Sequence, residues 1–181
     1  VALLPRKPGH GIAACAAGAE AVVGLRLKGL GPSGERLEAH PPLLRRVKGQ
    51  SRWGDFAYQP VLARQGRRTT REHQLPLALM ALLLEQEQQG DVPSMLVLGG
   101  GGRRLEQERL NLSSGLRRQL SEALRKLCVD LERPDPPPLA ADRRKCSLCS
   151  WRVACNAVAA EEGHLSEVSG IGAKRREMLL E

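Results

Sequence analysis

The first third of the chain shows the alternation of apolar and polar residues that is typical of β-strands. It is clearest from Val23 to Lys28, as expected for a strand with one buried face. The Gly-Pro-Ser-Gly sequence at 31–34 indicates a turn. Three strands are predicted: 21–29, 36–47 with an interruption at Pro41 and Pro42, and 56–63 after the Trp53-Gly54-Asp55 turn. Three consecutive strands predict an antiparallel meander.

A helical period follows this region. Thr69 and Glu72 have the spacing of a capping box at a helix N-terminus. Pro76 indicates that the regular helix either begins near it or is kinked there. An apolar helix face is formed by Leu75, Leu79, Leu82 and Leu83.

Two further strands and a second helix complete the pattern. The strands are predicted at 94–98 and 105–112, with the glycine run 99–102 as a hairpin turn rather than a phosphate loop, because no Lys-Ser/Thr follows it. Ser113 or Ser114 caps a helix, and its apolar face consists of Leu116, Leu120, Leu124, Leu127 and Leu131.

These elements predict an α/β protein with a mostly antiparallel sheet and helices packed against it. The expected organisation is a main domain at 1–133, a Pro-rich linker at 134–141, a cysteine segment at 142–163 and a C-terminal element at 164–181.

The charge of the chain favours a polyanionic partner. The formal net charge is +8, and between residues 45 and 71 there are eight basic residues and a single acid, Asp55. The basic residues are Arg45, Arg46, Lys48, Arg52, Arg64, Arg67, Arg68 and Arg71. The longest apolar run, 75–84, is shorter than the roughly 20 residues of a membrane-spanning helix. A nucleic acid is therefore the expected partner, and a membrane is not.

Three of the five cysteines form the strongest chemical motif. Cys146, Cys149 and Cys155 have a C-x2-C-x5-C spacing that is typical of zinc or iron–sulfur ligands, and it fits a reducing, cytoplasmic compartment. The fourth ligand stays open between Cys15, Cys128, His164 and a residue outside this chain; Cys15 and Cys128 have apolar neighbours typical of the core.

The C-terminal segment contains a second DNA-binding signal. Gly170 and Gly172 permit a tight hairpin, and Lys174 lies at the start of the next predicted helix, where free N–H groups favour a phosphate. This pattern is typical of a helix–hairpin–helix element, although an ordinary turn between helices is the alternative.

Four stretches of the chain resemble the RecB-like nucleases of the PD-(D/E)XK superfamily: SRWGDFAYQPVLARQGRR at 51–68, EHQLPLA at 72–78, CSLCSWRVAC at 146–155 and LSEVSGIGAKRREML at 165–179. The resemblance implies a restriction-endonuclease-like mixed sheet flanked by helices. It also implies a 4Fe–4S cluster on Cys146, Cys149 and Cys155, with zinc as the alternative.

The catalytic residues of that family are not present where the resemblance places them. The family uses two carboxylates to hold Mg²⁺ or Mn²⁺ and a lysine to position water. Here Pro42 stands where the first carboxylate is expected, and Leu62 and Arg64 stand in the acid-x-Lys motif. Gln74 occupies the position of the family's helix glutamine.

Two functions follow from this pattern. The first is a catalytically degenerate DNA-binding protein of DNA repair or processing, with Arg45, Arg46, Arg52, Arg64, Arg67 and Arg68 contacting phosphates. The second is an active metal-dependent nuclease whose site is displaced, for example to Glu38 and Asp55, or is completed by residues outside the chain. A zinc-stabilised interaction protein is a third, weaker alternative.

Overall fold

The structure is a computed structural model that describes residues 7–64, 69–99, 106–133, 139, 149, 151–164, 175 and 178–179. The chain divides into two compact units, Val1–Leu131 and Glu132–Glu181. The elements of the first unit are β1 (Gly9–His10), α1 (Gly11–Ala16), β2 (Ala21–Val23), β3 (Leu27–Leu30), β4 (Arg36–Ala39), β5 (Leu43–Ser51), β6 (Gly54–Ala63), α2 (Arg71–Gln88), β7 (Met95–Gly99), β8 (Glu106–Leu110) and α3 (Ser114–Leu131). The second unit contains α4 (Arg152–Glu161).

Six strands of the first unit form one mixed sheet in the order β1-β2-β5-β6-β7-β8. β2, β5 and β6 are antiparallel neighbours, and β8 is antiparallel to β7. β6 and β7 are parallel, and α2 makes the crossover between them, as parallel strands require. The predicted α/β class is confirmed: a mixed sheet flanked by helices.

The predicted three-strand meander is wrong in detail, because two predicted strands are each broken in two. Gly24 has φ +67, a left-handed conformation that ends β2, so the segment 21–29 becomes β2 and β3. Pro41 and Pro42 separate β4 from β5. β3 and β4 pair as a hairpin outside the main sheet.

α2 begins one residue later than the sequence indicated. Its N-cap is Thr70, and the residue that completes the capping box is His73, whose Nδ1 accepts a hydrogen bond of 3.2 Å from the Thr70 N–H. The helix continues through Pro76, its sixth residue, whose ring nitrogen has no hydrogen to donate to the Glu72 carbonyl four residues earlier.

The last two strands and α3 agree with the sequence. β7 and β8 are an antiparallel pair, and their connecting glycine run lies outside the described residues. The capping residue of α3 is Ser113, whose Oγ accepts a hydrogen bond of 3.2 Å from the Leu116 N–H. The short helix α1 was not predicted, because its Ala-rich sequence has no helical period.

The main core lies between α2 and one face of the sheet. Leu44, Tyr58 and Met95 project from that face and pack with Leu77 and Leu84 of α2, all five fully buried. α3 packs beside α2 through a smaller cluster around Ala78, Leu120 and Leu124. No helix in the described part of the chain is both long and apolar enough to cross a lipid bilayer.

Candidate nucleic-acid interface

The positions of the expected catalytic motifs, Pro42, Leu62 and Arg64, lie at one end of the β5–β6 ladder. We call this end the motif edge. Leu43 of β5 pairs with Val61 of β6, so Pro42, which precedes β5, lies at the level of Leu62; Pro42 is exposed and Leu62 is half-buried. Leu62 pairs onward with Val97 of β7, and Val97 with Glu108 of β8. Pro42 and Leu62 therefore lie at the same end of the β5–β6 ladder, and the side chains in this row are apolar except for Glu108.

Arg64 lies across this edge. Its side chain is only 3% exposed, and its Nη2 is 3.8 Å from Oε2 of Glu108, whose side chain is 43% exposed. It reaches Glu108 by passing over Gly99, where an added Cβ would be 2.8 Å from Arg64 Cγ and Cζ. The Thr69 hydroxyl donates a hydrogen bond to the same carboxylate.

The buried position of Arg64 corrects its predicted role as an exposed phosphate contact. Its side chain is nearly fully buried over Gly99 and has a carboxylate 3.8 Å away, so it does not belong to the exposed basic surface. Glu108 was missed by the sequence analysis. The available signal was its place in the alternating strand 106–110, but nothing in the sequence showed that this strand borders β7 at the motif edge.

The two acids considered for a displaced metal site have other partners. Glu38 of β4 accepts hydrogen bonds from Arg26 Nε (2.6 Å) and His40 Nε2 (2.8 Å) in the separate hairpin. The hydrogen bond from Arg26 holds the pKa of Glu38 well below its usual range, at about 2, with His40 acting in the same direction. Asp55 accepts a hydrogen bond of 3.0 Å from Gln50 Nε2.

Asp55 is also remote from the motif edge. It lies at the start of β6, seven residues from Leu62, which corresponds to about 23 Å along a strand. In the described part of the chain no three His, Cys, Asp or Glu side chains come together as metal ligands.

Gln74 is half-buried in the first turns of α2. It borders a shallow cavity of about 250 Å³ together with Asn111, Ser113 and Gln119. This cavity is lined by neutral residues, so it offers hydrogen-bonding groups and no charge.

The predicted basic residues of β5 do not share one surface. Side chains alternate along a strand, so Arg46 and Lys48 project from one face and Arg45 from the other. Arg46 and Lys48 are exposed, whereas Arg45 is half-buried opposite Gln59. Arg67 and Arg68 lie outside the described residues.

The opposite end of the β5–β6 ladder combines cations with aromatic rings. The Arg46 guanidinium lies 5.8 Å from the centre of the Phe56 ring, and that of Arg52 lies 5.1 Å from the Trp53 ring. Arg52 also forms an ion pair with Glu87 of α2, and Arg46 donates to the Gly18 carbonyl. Lys48 forms no ion pair within the residues that the structure describes.

Two buried side chains, those of Gln88 and Tyr58, form hydrogen bonds with the backbone near this end of the ladder. The Gln88 amide accepts a hydrogen bond from the Tyr58 N–H (3.0 Å) and donates to the carbonyls of Gly90 (3.1 Å) and Asp91 (2.8 Å). The Tyr58 hydroxyl donates to the Ala19 carbonyl at 2.7 Å. Burial, followed by the nearby Cys15, raises the pKa of Tyr58 to about 12.

The cysteine motif is described only in part. Cys149 is exposed, and Cys155 is half-buried in the first turn of α4, where its N–H donates to the Trp151 carbonyl at 3.0 Å. Both are free thiols, and thiolates are suitable donors for zinc or iron. The other residues predicted for the second unit's sites, Cys146, Gly170, Gly172 and Lys174, lie outside the described residues.

The candidates for a fourth ligand occupy different elements. Cys15 is fully buried in the core of the first unit, in agreement with the sequence, and burial raises the pKa of its thiol to about 11. Cys128 is half-buried on α3, and His164 follows α4 in the second unit.

No protein-family model matches the sequence, and no curated protein matches it. The resemblance to RecB-like nucleases therefore rests on the sequence motifs alone.

Proposed function

We propose that the chain is a nucleic-acid-binding protein related to the RecB-like nucleases, that it acts in DNA repair or processing in the cytoplasm, and that it no longer hydrolyses phosphodiester bonds. DNA binds at the end of the β5–β6 ladder that carries the hairpin turn, where Arg46, Lys48 and Arg52 are exposed. We call this the open end. The Gly170–Gly172 segment makes a second contact, with the phosphate backbone of the DNA.

The residue types at the motif edge are the observation that supports the proposed loss of hydrolysis. A divalent metal needs carboxylate oxygens, and Pro42 and Leu62 have none. A lysine at the position of Arg64 could exchange a proton with water, but a guanidinium stays protonated and cannot act as a base. Arg64 is also enclosed, with its charge directed at Glu108.

The cysteine segment would hold a resident metal centre. Cys146, Cys149 and Cys155 are the proposed ligands of a 4Fe–4S cluster, with zinc as the alternative. Such a centre would stabilise the small second unit, because few apolar side chains of its described residues are buried. A brown colour after anaerobic purification supports the iron–sulfur centre, and its loss in Cys149→Ser but not in Cys128→Ser would assign the ligand.

An active nuclease with a displaced site is the second candidate. One observation favours it: Glu108 places a 43% exposed carboxylate at the motif edge. This candidate requires Mg²⁺ or Mn²⁺ and a pair of carboxylates, either Glu108 with a carboxylate from another chain or, at a different place, Glu38 and Asp55.

The experiment that separates these functions measures binding and cleavage together. Labelled single-stranded and duplex DNA are incubated with anaerobically purified protein and Mn²⁺ over a range of salt concentrations. We expect salt-dependent binding and intact DNA. Cleavage that disappears in Glu108→Gln or Asp55→Asn would establish the active nuclease, whereas absence of DNA binding would favour the zinc-stabilised interaction protein.

A further inference from the structure

A groove with an apolar lining separates the β3–β4 hairpin from α3. Its volume is about 440 Å³, and four leucines line it: Leu30 of β3, Leu82 of α2, Leu112 and Leu120 of α3. Leu120 is buried, and Leu82 and Leu112 are half-buried, whereas Leu30 is 56% exposed at the rim. An exposed leucine beside a concave apolar surface differs from an isolated one, because the two can be covered together by a ligand.

Both walls of this groove are held by adjacent residues of α2. The Gln86 amide donates to the Leu30 carbonyl at 2.7 Å and accepts from the Leu30 N–H at 3.0 Å, which fixes the hairpin. Gly29 permits this close approach, because an added Cβ would press on Gln86. Arg117 Nη2 donates to both carboxylate oxygens of Glu85 at 2.8 Å, which fixes α3. Walls that are already ordered reduce the entropy lost when a ligand binds.

The rim of the groove carries cations that lack matching acids. Arg118 lines the groove on the α3 side, and Arg36 pairs with Leu30 across the hairpin, so the two side chains share one face. Arg125 follows Arg118 by about two helical turns on the same face of α3. All three arginines are exposed, and none forms an ion pair among the residues that the structure describes. No acid is among the described residues that line the groove.

We propose that this groove binds an acidic segment of a partner protein, with one large apolar side chain beside Leu30 and with carboxylates at Arg36 and Arg118. The charge of the rim determines the sign of the partner, and the leucine lining requires an apolar anchor. A nucleic acid supplies the charge without the anchor, because leucine side chains offer no hydrogen bonds to a phosphate or to the edge of a base. The proposal goes beyond the proposed function, since none of the described lining residues belongs to the β5–β6 ladder.

The experiment uses a fluorescein-labelled peptide made of Glu-Ala-Leu-Glu repeats and the full-length chain. Two control peptides replace every glutamate by glutamine or every leucine by serine. The affinity is measured from the anisotropy of the label. We expect the acidic leucine peptide to bind about tenfold more tightly than either control, because each control lacks one of the two features that the groove recognises.

Substitutions of the apolar rim provide a second measurement with a matched control. Leu30→Ser removes the exposed apolar side chain, and we expect it to weaken binding of the acidic leucine peptide by about fivefold. Leu127→Ser is the control, because Leu127 is 53% exposed on α3 and does not line the groove. Circular dichroism establishes that each variant is folded. If Leu30→Ser does not fold, the three peptides and the wild-type chain still decide the question.

Reversal of charge at the rim tests the other half of the proposal. Arg118→Glu should weaken binding of the glutamate peptide by about fivefold and strengthen binding of the same peptide with lysine in place of glutamate. Lys126→Glu, which makes the same change of charge on α3 outside the groove, should alter both affinities by less than about twofold.

Four results would overturn the proposal. The first is absence of saturable binding of the acidic leucine peptide, and the second is equal affinity for the leucine and serine peptides, because charge alone would then explain binding. The third is a larger loss of peptide affinity in Lys48→Ala than in Leu30→Ser, which would place the peptide at the open end. The fourth is a wild-type chain that dimerises in sedimentation velocity while Leu30→Ser stays monomeric, which would identify a second copy as the occupant.

Discussion

The two ends of the β5–β6 ladder differ in charge, burial and the partners of their cations. At one end Pro42 and Leu62 are apolar, and Arg64 is enclosed and directed at Glu108. At the other end Arg46 and Lys48 are exposed beside aromatic rings. The end that contains Leu62 and Arg64 is therefore the closed end of the ladder, and the end that contains Arg46 and Lys48 is the open end.

This difference shows that a count of basic residues does not locate a binding surface. Arg64 and Lys48 contribute equally to the net charge of the chain. Lys48 is exposed and forms no ion pair in the described part of the chain, whereas the Arg64 side chain would have to leave a nearly fully buried position and its contact with Glu108 to meet a phosphate. Binding is expected at the end where the cations are in water.

The largest effect is expected from removing the buried amide that supports the open end. Gln88→Leu leaves the Tyr58 N–H and the carbonyls of Gly90 and Asp91 without their hydrogen bonds. We expect the free energy of unfolding to fall by about 2–4 kcal/mol, measured by urea denaturation. Gln119→Leu, on the exposed side of α3, is the control and should change it little. Equal stability of both variants would show that Gln88 does not hold the open end together.

A smaller effect is expected at the closed end. Arg64→Met removes the guanidinium beside Glu108, and we expect the free energy of unfolding to fall by about 1–3 kcal/mol because a nearly fully buried charged side chain loses its contact with a partly exposed carboxylate. Arg118→Met, exposed on α3, is the matched control. A double-mutant cycle with Glu108→Gln separates the coupling of the two side chains from the loss of packing.

Gly99→Ala tests the same end without removing a charge. Its added Cβ would press on the Arg64 side chain, so the substitution should destabilise the protein by about 1–3 kcal/mol, and by less in the Arg64→Met background. Arg64→Met and Gly99→Ala proteins as stable as the wild type would mean that the closed end does not depend on this ion pair.

The smallest effect is expected on the pH dependence of the free energy of unfolding, through the buried thiol of Cys15. Burial, followed by Glu87, raises the pKa of Cys15 from 9.0 to about 11. Because the folded state holds the proton more tightly, this stabilisation is complete below pH 9.0 and is lost as the pH rises towards about 11. We expect Cys15→Ala to make the alkaline decrease in unfolding free energy shallower. Parallel curves for wild type and Cys15→Ala would contradict this prediction.

The sequence alone determined the types of the long elements. α2, α3 and the strands at 56–63 and 94–98 follow from side-chain period, and a period depends only on which positions meet the core. The residue types at positions 42, 62 and 64 likewise exclude the expected carboxylates and lysine without any knowledge of the fold.

The tertiary structure decided which of these residues meet. The hairpin β3–β4 leaves the sheet because Gly24 and the two prolines interrupt strands whose alternation is otherwise continuous. Glu108 reaches Arg64 because β7 and β8 pair in a register that brings it near Gly99. Burial of Arg64 and exposure of Lys48 depend on neighbours that are distant in the chain, so charge alone does not distinguish the two cations.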